Sequence, residues 1–151
     1  MAIRAISHVA VGVRDMDRAL RFYRDALGLR VKFDTLEELP GFSGAEARRR
    51  RAVYLGFGEG PDASFVVLDQ PLSVEPHGEA ARLFQTGIHH FSFWVDEIEA
   101  IVARVRAAGF EALFDPGVAD SVAYGEPPGG KVLSTFLRDP DGNYVQLDQR
   151  L

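Results

Sequence analysis

The chain repeats itself, and this internal repeat constrains the fold more than any other feature of the sequence. Residues 7–13 match residues 89–95, and residues 61–69 match residues 140–148 in the same order. A solenoid needs about three or more stacked repeats, so a single duplication predicts two paired modules that form one cleft.

Each module is predicted to run strand, helix, strand and hairpin, which makes a βαβββ unit. In the first module, apolar side chains recur at helical spacing after Asp15 until Gly28 ends the helix. The predicted strands are 5–13, 29–33, 52–57 and 64–68 in the first module, and 89–95, 110–114, 132–138 and 143–148 around a helix at 97–108 in the second. Residues 36–51 and 116–131 are predicted to be long connections, which often serve as lids or binding loops.

The predicted fold class is therefore α+β. Residues 1–71 are expected to form an N-terminal βαβββ module, residues 72–87 a linker, and residues 88–151 a C-terminal βαβββ module. The two modules are expected to build an eight-stranded, partly closed sheet around one cleft, with the helices outside.

Composition excludes several classes of protein. The chain has no cysteine, which removes disulfides, thiolate metal sites and cysteine nucleophiles. Its net charge of -5 offers nucleic acid no electrostatic attraction. Neither a membrane-spanning apolar run nor a signal peptide is evident, so we expect a cytoplasmic protein that does not contact membranes.

Side chains alternate between the two faces of a strand, and this alternation predicts which residues line the cleft. Val9, Val11 and Val13 are expected to face the helices, as are the apolar residues of the matching strand in the second module. The opposite faces carry the more polar set, which comprises His8, Phe65, Val67, Asp69, His90, Ser92, Trp94, Tyr144, Gln146 and Asp148.

His8 and His90 occupy equivalent positions of the repeat. Two imidazoles supplied in this way could converge on one metal ion, since neutral imidazole suits zinc, nickel, cobalt or iron. Alternatively, each histidine is a half-buried strand residue with a protein partner. His89 is expected to point to the opposite face and His77 to lie in the linker, so neither is expected to bind a ligand.

Four stretches together resemble the vicinal oxygen chelate superfamily, over nearly the whole chain. They are Ser7-His8-Val9-Ala10, then Ala19-Leu20-Arg21-Phe22-Tyr23 with Leu27-Gly28, then His90-Phe91-Ser92-Phe93-Trp94-Val95-Asp96, and last Phe136-Leu137-Arg138-Asp139-Pro140-Asp141-Gly142-Asn143. This superfamily includes glyoxalase I, methylmalonyl-CoA epimerase, extradiol dioxygenases, fosfomycin resistance enzymes and bleomycin-binding proteins. Leu39-Pro40-Gly41-Phe42-Ser43-Gly44 also looks like the epimerase-like branch.

The resemblance implies a metal site at four positions, which here are His8, Val67, His90 and Gln146. Many members have glutamate where this chain has Val67 and Gln146. Valine cannot coordinate a metal and an amide oxygen is a neutral ligand, so any Zn, Ni, Co, Fe or Mn would be held more weakly. Asp69, Asp148 or Glu126 could supply the missing carboxylate, with Glu126 the candidate catalytic residue, or each could be a solvated charge.

Two main hypotheses follow from these residues. In the first, a divalent metal held by His8, His90 and Gln146 acts on a small oxygenated substrate, as in a lyase, isomerase or dioxygenase of this superfamily. In the second, the chain binds an aromatic or amphipathic compound without metal. A module that only contacts other proteins is a third possibility. The predicted substrate-binding residues are Phe65, Ser92, Trp94, Tyr144 and Asp148, and in the second hypothesis His8, His90, Trp94 and Tyr144 line the pocket.

Three further features of the sequence lead to expectations. Arg48 to Arg51 form a basic run that either grips a phosphate or carboxylate or lies in a solvated loop. Asp139-Pro140-Asp141-Gly142 is predicted to be a turn. The superfamily commonly dimerises, so a homodimer is expected.

Overall fold

The computed structural model describes residues 3–41 and 48–151. The chain divides into two compact units, Met1–Gly78 and Glu79–Leu151, which are described here one at a time. The division falls inside the segment 72–87 that the sequence predicts to be a linker. Phe42, Ser43 and Gly44, on which the epimerase-like match partly depends, lie outside the described residues.

The first unit is a four-stranded mixed sheet with one helical segment. Asp15 caps the helix by accepting a hydrogen bond from the Arg18 amide at 3.0 Å, and Gly28 follows the helix with φ of 90°. The strands lie in the order β1-β4-β3-β2, with β1 parallel to β4 and the other pairs antiparallel. The elements are β1 (His8–Gly12), α1 (Met16–Leu20) continuing as a π-helical turn (Arg21–Ala26), β2 (Arg30–Leu39), β3 (Arg48–Gly56) and β4 (Phe65–Pro71).

The core of the first unit lies where the helical segment covers the sheet. Met16, Phe22 and Tyr23 on the helical side are buried, as are Val66 and Leu68 on β4. Burying these large apolar side chains supplies the main free energy that holds helix and sheet together.

The predicted connection at residues 36–51 is wrong at both ends. β2 continues to Leu39 and β3 already begins at Arg48, with Glu37 opposite Arg50 and Glu38 opposite Arg49. Oppositely charged side chains facing each other across antiparallel strands stabilise such pairing. A run of charges that looks like a loop in the sequence is therefore a hairpin.

The second unit is a five-stranded sheet that repeats the parallel pairing of the first. β5 runs parallel to β9, the path is β5-β9-β8-β6, and β7 also pairs with β8. The elements are β5 (His90–Trp94), α2 (Ile98–Ala107), β6 (Glu111–Ala112), β7 (Gly117–Asp120), a 3-10 helix (Ser121–Tyr124), β8 (Lys131–Arg138) and β9 (Tyr144–Arg150).

The second predicted connection, 116–131, is also more ordered than expected. It contains β7 and the 3-10 helix, whereas the strand predicted at 110–114 is reduced to the two residues of β6. Because β7 pairs with β8, the described residues form nine strands where eight were predicted. The α+β fold class itself is confirmed.

The turn predicted at Asp139-Pro140-Asp141-Gly142 is confirmed. The Asp139 carboxylate accepts from the backbone amides of Asp141 and Asn143 at 2.9 and 2.8 Å, and Gly142 has φ of 94°. Glycine adopts this left-handed conformation without steric cost.

No helix in the described ranges is long and apolar enough to cross a membrane.

Candidate functional site

The second unit contains a pocket of about 360 Å³ that gathers five of the ten residues predicted to face the cleft. We call it the β5–β9 pocket. Two parallel strands build it, because β5 and β9 place alternate side chains on the same face of the sheet, with Ser92 beside Gln146 and Trp94 beside Asp148. The 3-10 helix adds a side wall. The lining residues are His90, Ser92, Trp94, Ala123, Tyr124, Gln146 and Asp148.

Asp148 is the most deeply placed charged group of this pocket, with only 2% of its surface exposed. Its carboxylate accepts hydrogen bonds from Ser92 Oγ, from Tyr124 OH at 2.7 Å and from Gln146 Nε2 at 2.8 Å. Burial raises the pKa of Asp148, but these hydrogen bonds outweigh burial and hold the pKa below its ordinary value. Asp148 is therefore an ionised carboxylate at neutral pH.

Gln146 is oriented by its neighbours. An ionised carboxylate can only accept hydrogen bonds, so the atom of the Gln146 amide that faces Asp148 must be the nitrogen. The same nitrogen donates to Ser134 Oγ at 3.2 Å. The amide oxygen of Gln146 is thus the atom left to meet a ligand.

His90 is held in its neutral form. Burial has the largest effect on the pKa of His90 and lowers it. The neighbouring His89 lowers this pKa further, while Asp148 raises it. His90 Nδ1 lies 2.8 Å from His89 Nδ1 in a hydrogen bond, and the His90 ring meets Phe136 edge-on at 5.3 Å. Its Nε2 is therefore the nitrogen available to a ligand.

The prediction that His89 points away from His90 is wrong. β5 begins at His90, so His89 precedes the strand and the alternation of faces does not apply to it. The two imidazole rings instead lie side by side, with their centroids 4.7 Å apart.

Trp94 forms the aromatic wall of the pocket together with Tyr124, whose ring centroid is 5.3 Å away. The Arg150 guanidinium lies 4.5 Å from the centre of the Trp94 ring. Sequence reasoning missed Tyr124, and the only available signal was its position in a long connection that could act as a lid.

Glu126 does not line the pocket. Both of its carboxylate oxygens accept hydrogen bonds from Arg150, at 2.6 and 2.9 Å. The hydrogen bond from Arg150 lowers the pKa of Glu126, although the group is exposed. This ion pair positions Arg150 over Trp94 rather than presenting a base to the pocket.

Tyr144 also lies outside the pocket lining. Its hydroxyl accepts a hydrogen bond from Arg138 at 2.7 Å, and the guanidinium lies 4.9 Å from the ring centre. Of the predicted residues in the second unit, the structure brings His90, Ser92, Trp94, Gln146 and Asp148 together, while Tyr144 and Glu126 have other partners.

The predicted residues of the first unit lie on its own sheet. The His8 ring stacks on Phe65 with centroids 5.0 Å apart, and Tyr54 and Phe33 extend this aromatic row across β3 and β2. His8 Nδ1 is hydrogen bonded to Ser7 Oγ at 3.0 Å. Val67 is only 4% exposed and offers no donor atom.

The basic run of the first unit lies in strand β3, so the prediction of a loop is wrong, and Arg50 and Arg51 are paired with carboxylates. Arg50 contacts Glu37 at 2.7 Å and also pairs with Asp69. Arg51 contacts Asp34 at 2.8 Å and Asp17 at 3.2 Å.

All three carboxylates suggested as substitute ligands are engaged within the protein. Asp69 pairs with Arg50, Asp148 receives three hydrogen bonds, and Glu126 pairs with Arg150. Within residues 3–41 and 48–151, no group of three His, Asp or Glu side chains could hold a metal ion.

The second unit nevertheless offers two donors that fit a divalent metal. His90 is neutral, and a metal-bound histidine commonly engages its other ring nitrogen in a hydrogen bond, as His90 does with His89. The Gln146 oxygen adds a second donor in the same pocket. Both are uncharged, which makes the pair a weak chelate.

Sequence comparison identifies the class of protein to which this fold and pocket belong. The family model described as the Glyoxalase/Bleomycin resistance protein/Dioxygenase superfamily matches residues 5–147. The chain belongs to this superfamily.

Its similar relatives include several proteins named lactoylglutathione lyase. A putative lactoylglutathione lyase of Brassica oleracea is 32% identical over 97% of this chain and 45% of its own length. The lactoylglutathione lyase of Haemophilus influenzae is 28% identical, over 94% of this chain and 90% of its own. The chain thus spans less than half of the plant relative and nearly all of the bacterial one.

Solved structures agree on the fold. A glyoxalase family protein from Bacillus cereus superposes with a TM-score of 0.74 at 18% identity, covering 100% of this chain and 99% of the other. A glyoxalase I mutant from Zea mays superposes with a TM-score of 0.67 at 22% identity, covering 95% of this chain and 44% of the other.

Proposed function

We propose that the chain is a glyoxalase-type enzyme that acts on a small oxygenated organic molecule bound in the β5–β9 pocket. The observation that carries this proposal is that His90 and Gln146 present one free nitrogen and one free oxygen to the same pocket. The names of the relatives support a lyase within this superfamily.

We further propose that a divalent metal is held by His90 and Gln146. A metal would act as a Lewis acid that polarises a substrate oxygen. The chain's own residues then bind and orient the substrate: Trp94 and Tyr124 cover its apolar part, and Asp148 keeps Gln146 turned toward it.

The metal proposal is tested with His90→Ala. We expect the wild-type protein, purified without chelators, to bind Zn²⁺ in calorimetry, and we expect His90→Ala to weaken that binding at least about tenfold because a ligand is lost. His77→Ala is the matched control, since His77 is exposed and lies in the linker, and it should bind as the wild type does.

Equal Zn²⁺ affinity in the wild type and His90→Ala, or no binding by the wild type, would contradict the metal proposal. The second outcome favours the other candidate function, which is metal-free binding of an aromatic or amphipathic compound. That candidate is supported by Val67, by the neutral donor pair and by the exposed Trp94 beside Tyr124.

We also propose that the chain works as a homodimer, as the family resemblance implies. From its charge and hydropathy pattern we propose that it works in the cytoplasm, with a small molecule rather than nucleic acid or a membrane as its partner.

A further inference from the structure

The polar floor of the β5–β9 pocket consists of Ser92, Tyr124, Gln146 and Asp148. Three of these residues carry protons, and the fourth is the ionised carboxylate to which all three donate. This arrangement decides which atoms remain for a ligand.

The hydroxyl and amide protons of the floor are all donated to other atoms of the protein. The Ser92 hydroxyl has one proton, which it directs to Asp148, and the Tyr124 hydroxyl directs its proton to the same carboxylate. The two amide protons of Gln146 go to Asp148 and to Ser134 Oγ. The hydroxyl oxygens and the amide oxygen of the floor therefore present lone pairs, and no protons, to a ligand.

The charge of the floor is not balanced within the pocket. The described residues that line it include no lysine or arginine. Arg150 lies against Trp94, but both oxygens of Glu126 neutralise it. One buried negative charge surrounded by neutral donors leaves a negative potential, and low-dielectric walls strengthen it.

We propose that the β5–β9 pocket selects ligands with a positive centre and rejects anions. The reason is that Asp148 accepts the hydrogen bonds of the other floor residues and supplies the only charge of the floor. This inference rests on the proposed function to the extent that the pocket is a ligand site. The positive centre has two possible sources, a divalent metal ion or an organic ammonium group, and both are recognised by the same lone pairs and charge.

The test uses three probes of stated charge on the full chain. Trp94 is the only tryptophan of the sequence and lines the pocket, so its fluorescence reports binding directly. In chelator-treated protein, benzylammonium should bind at least about tenfold more tightly than benzoate, which has the same ring and the opposite charge. Zn²⁺ should then compete with benzylammonium.

Asp148→Asn removes the charge with little change of shape. We expect it to abolish the preference for benzylammonium over benzoate. Glu99→Gln removes an exposed charge on α2 and should keep the preference. The far-UV circular dichroism spectrum and the urea midpoint of Asp148→Asn show whether this variant is folded.

The outcomes separate this inference from the proposed function. Equal or tighter binding of benzoate by the wild type, no binding of benzylammonium up to its solubility limit, or an unchanged preference in folded Asp148→Asn would overturn the inference, whatever Zn²⁺ does. Selective binding of benzylammonium without any Zn²⁺ binding would support the inference and count against the metal proposal alone.

Discussion

Asp139 and Asp148 are both buried carboxylates on or beside the last hairpin, yet their surroundings give them different tasks. Asp148 faces the pocket, whereas Asp139 is 5% exposed and its hydrogen bonds go to the turn that joins β8 to β9. Removing its side chain would leave two backbone amides of the turn without their acceptor.

We therefore expect Asp139→Ala to lower the free energy of unfolding by roughly 1–3 kcal/mol. The urea midpoint in equilibrium unfolding measures this change. Asp115→Ala removes a carboxylate that is 83% exposed and pairs with Arg106, and it should shift the midpoint little because exposed ion pairs contribute almost nothing. Equal effects of the two substitutions would contradict the assigned role of Asp139.

At the scale of elements, strands β2 and β3 carry several ion pairs between their side chains. Arg50 lies between Glu37 and Asp69 and is 19% exposed, while the Tyr54 hydroxyl donates to Glu37 at 2.9 Å. The hydrogen bond from Arg50 is the largest of the effects that lower the pKa of Glu37. Removing the cation would leave two partly buried carboxylates facing each other.

We expect Arg50→Met to lower the free energy of unfolding by roughly 2 kcal/mol, because the substitution removes the charge that Glu37 and Asp69 share. Methionine keeps most of the aliphatic volume, so the loss reports on the charge. The neighbouring Arg49→Met is the control, because Arg49 is 61% exposed and its contact with Glu38 is 3.9 Å. Thermal unfolding of both variants measures the difference. A loss as large in Arg49→Met would show that the basic run acts as a whole rather than through Arg50.

At the scale of the whole molecule, the surface carries several large apolar side chains. Ile3, Ile6, Leu36, Phe84 and Ile88 are all more exposed than buried, and Phe84 is 93% exposed. Contiguous exposed apolar patches mark surfaces that associate, whereas single exposed apolar side chains are ordinary. The homodimer that the family resemblance implies therefore stays a prediction.

We expect sedimentation velocity to give twice the mass of one chain. A dilution series should shift the protein toward the monomer mass only at low concentration, because the apolar contacts of a dimer are lost on dissociation. A single species of monomer mass at all concentrations would contradict the dimer.

The alternation of faces and the turn chemistry are local properties, so the sequence predicted them well. The helix start at Asp15 and the turn at Asp139 needed only neighbouring residues, and the α+β class followed from the internal repeat. The same alternation predicted that Ser92 and Trp94 share a face of β5. It failed at His89, because the alternation applies only inside a strand and the strand begins one residue later.

The sequence by itself determined which side chains each strand could present and which residue types were missing, such as a glutamate at Val67. Only the tertiary structure decided which partners those side chains have. Tyr124 reaches Asp148, Glu126 reaches Arg150 and Arg50 reaches Asp69 across distant parts of the chain, because hydrogen bonds and ion pairs depend on distances in space that local patterns do not specify.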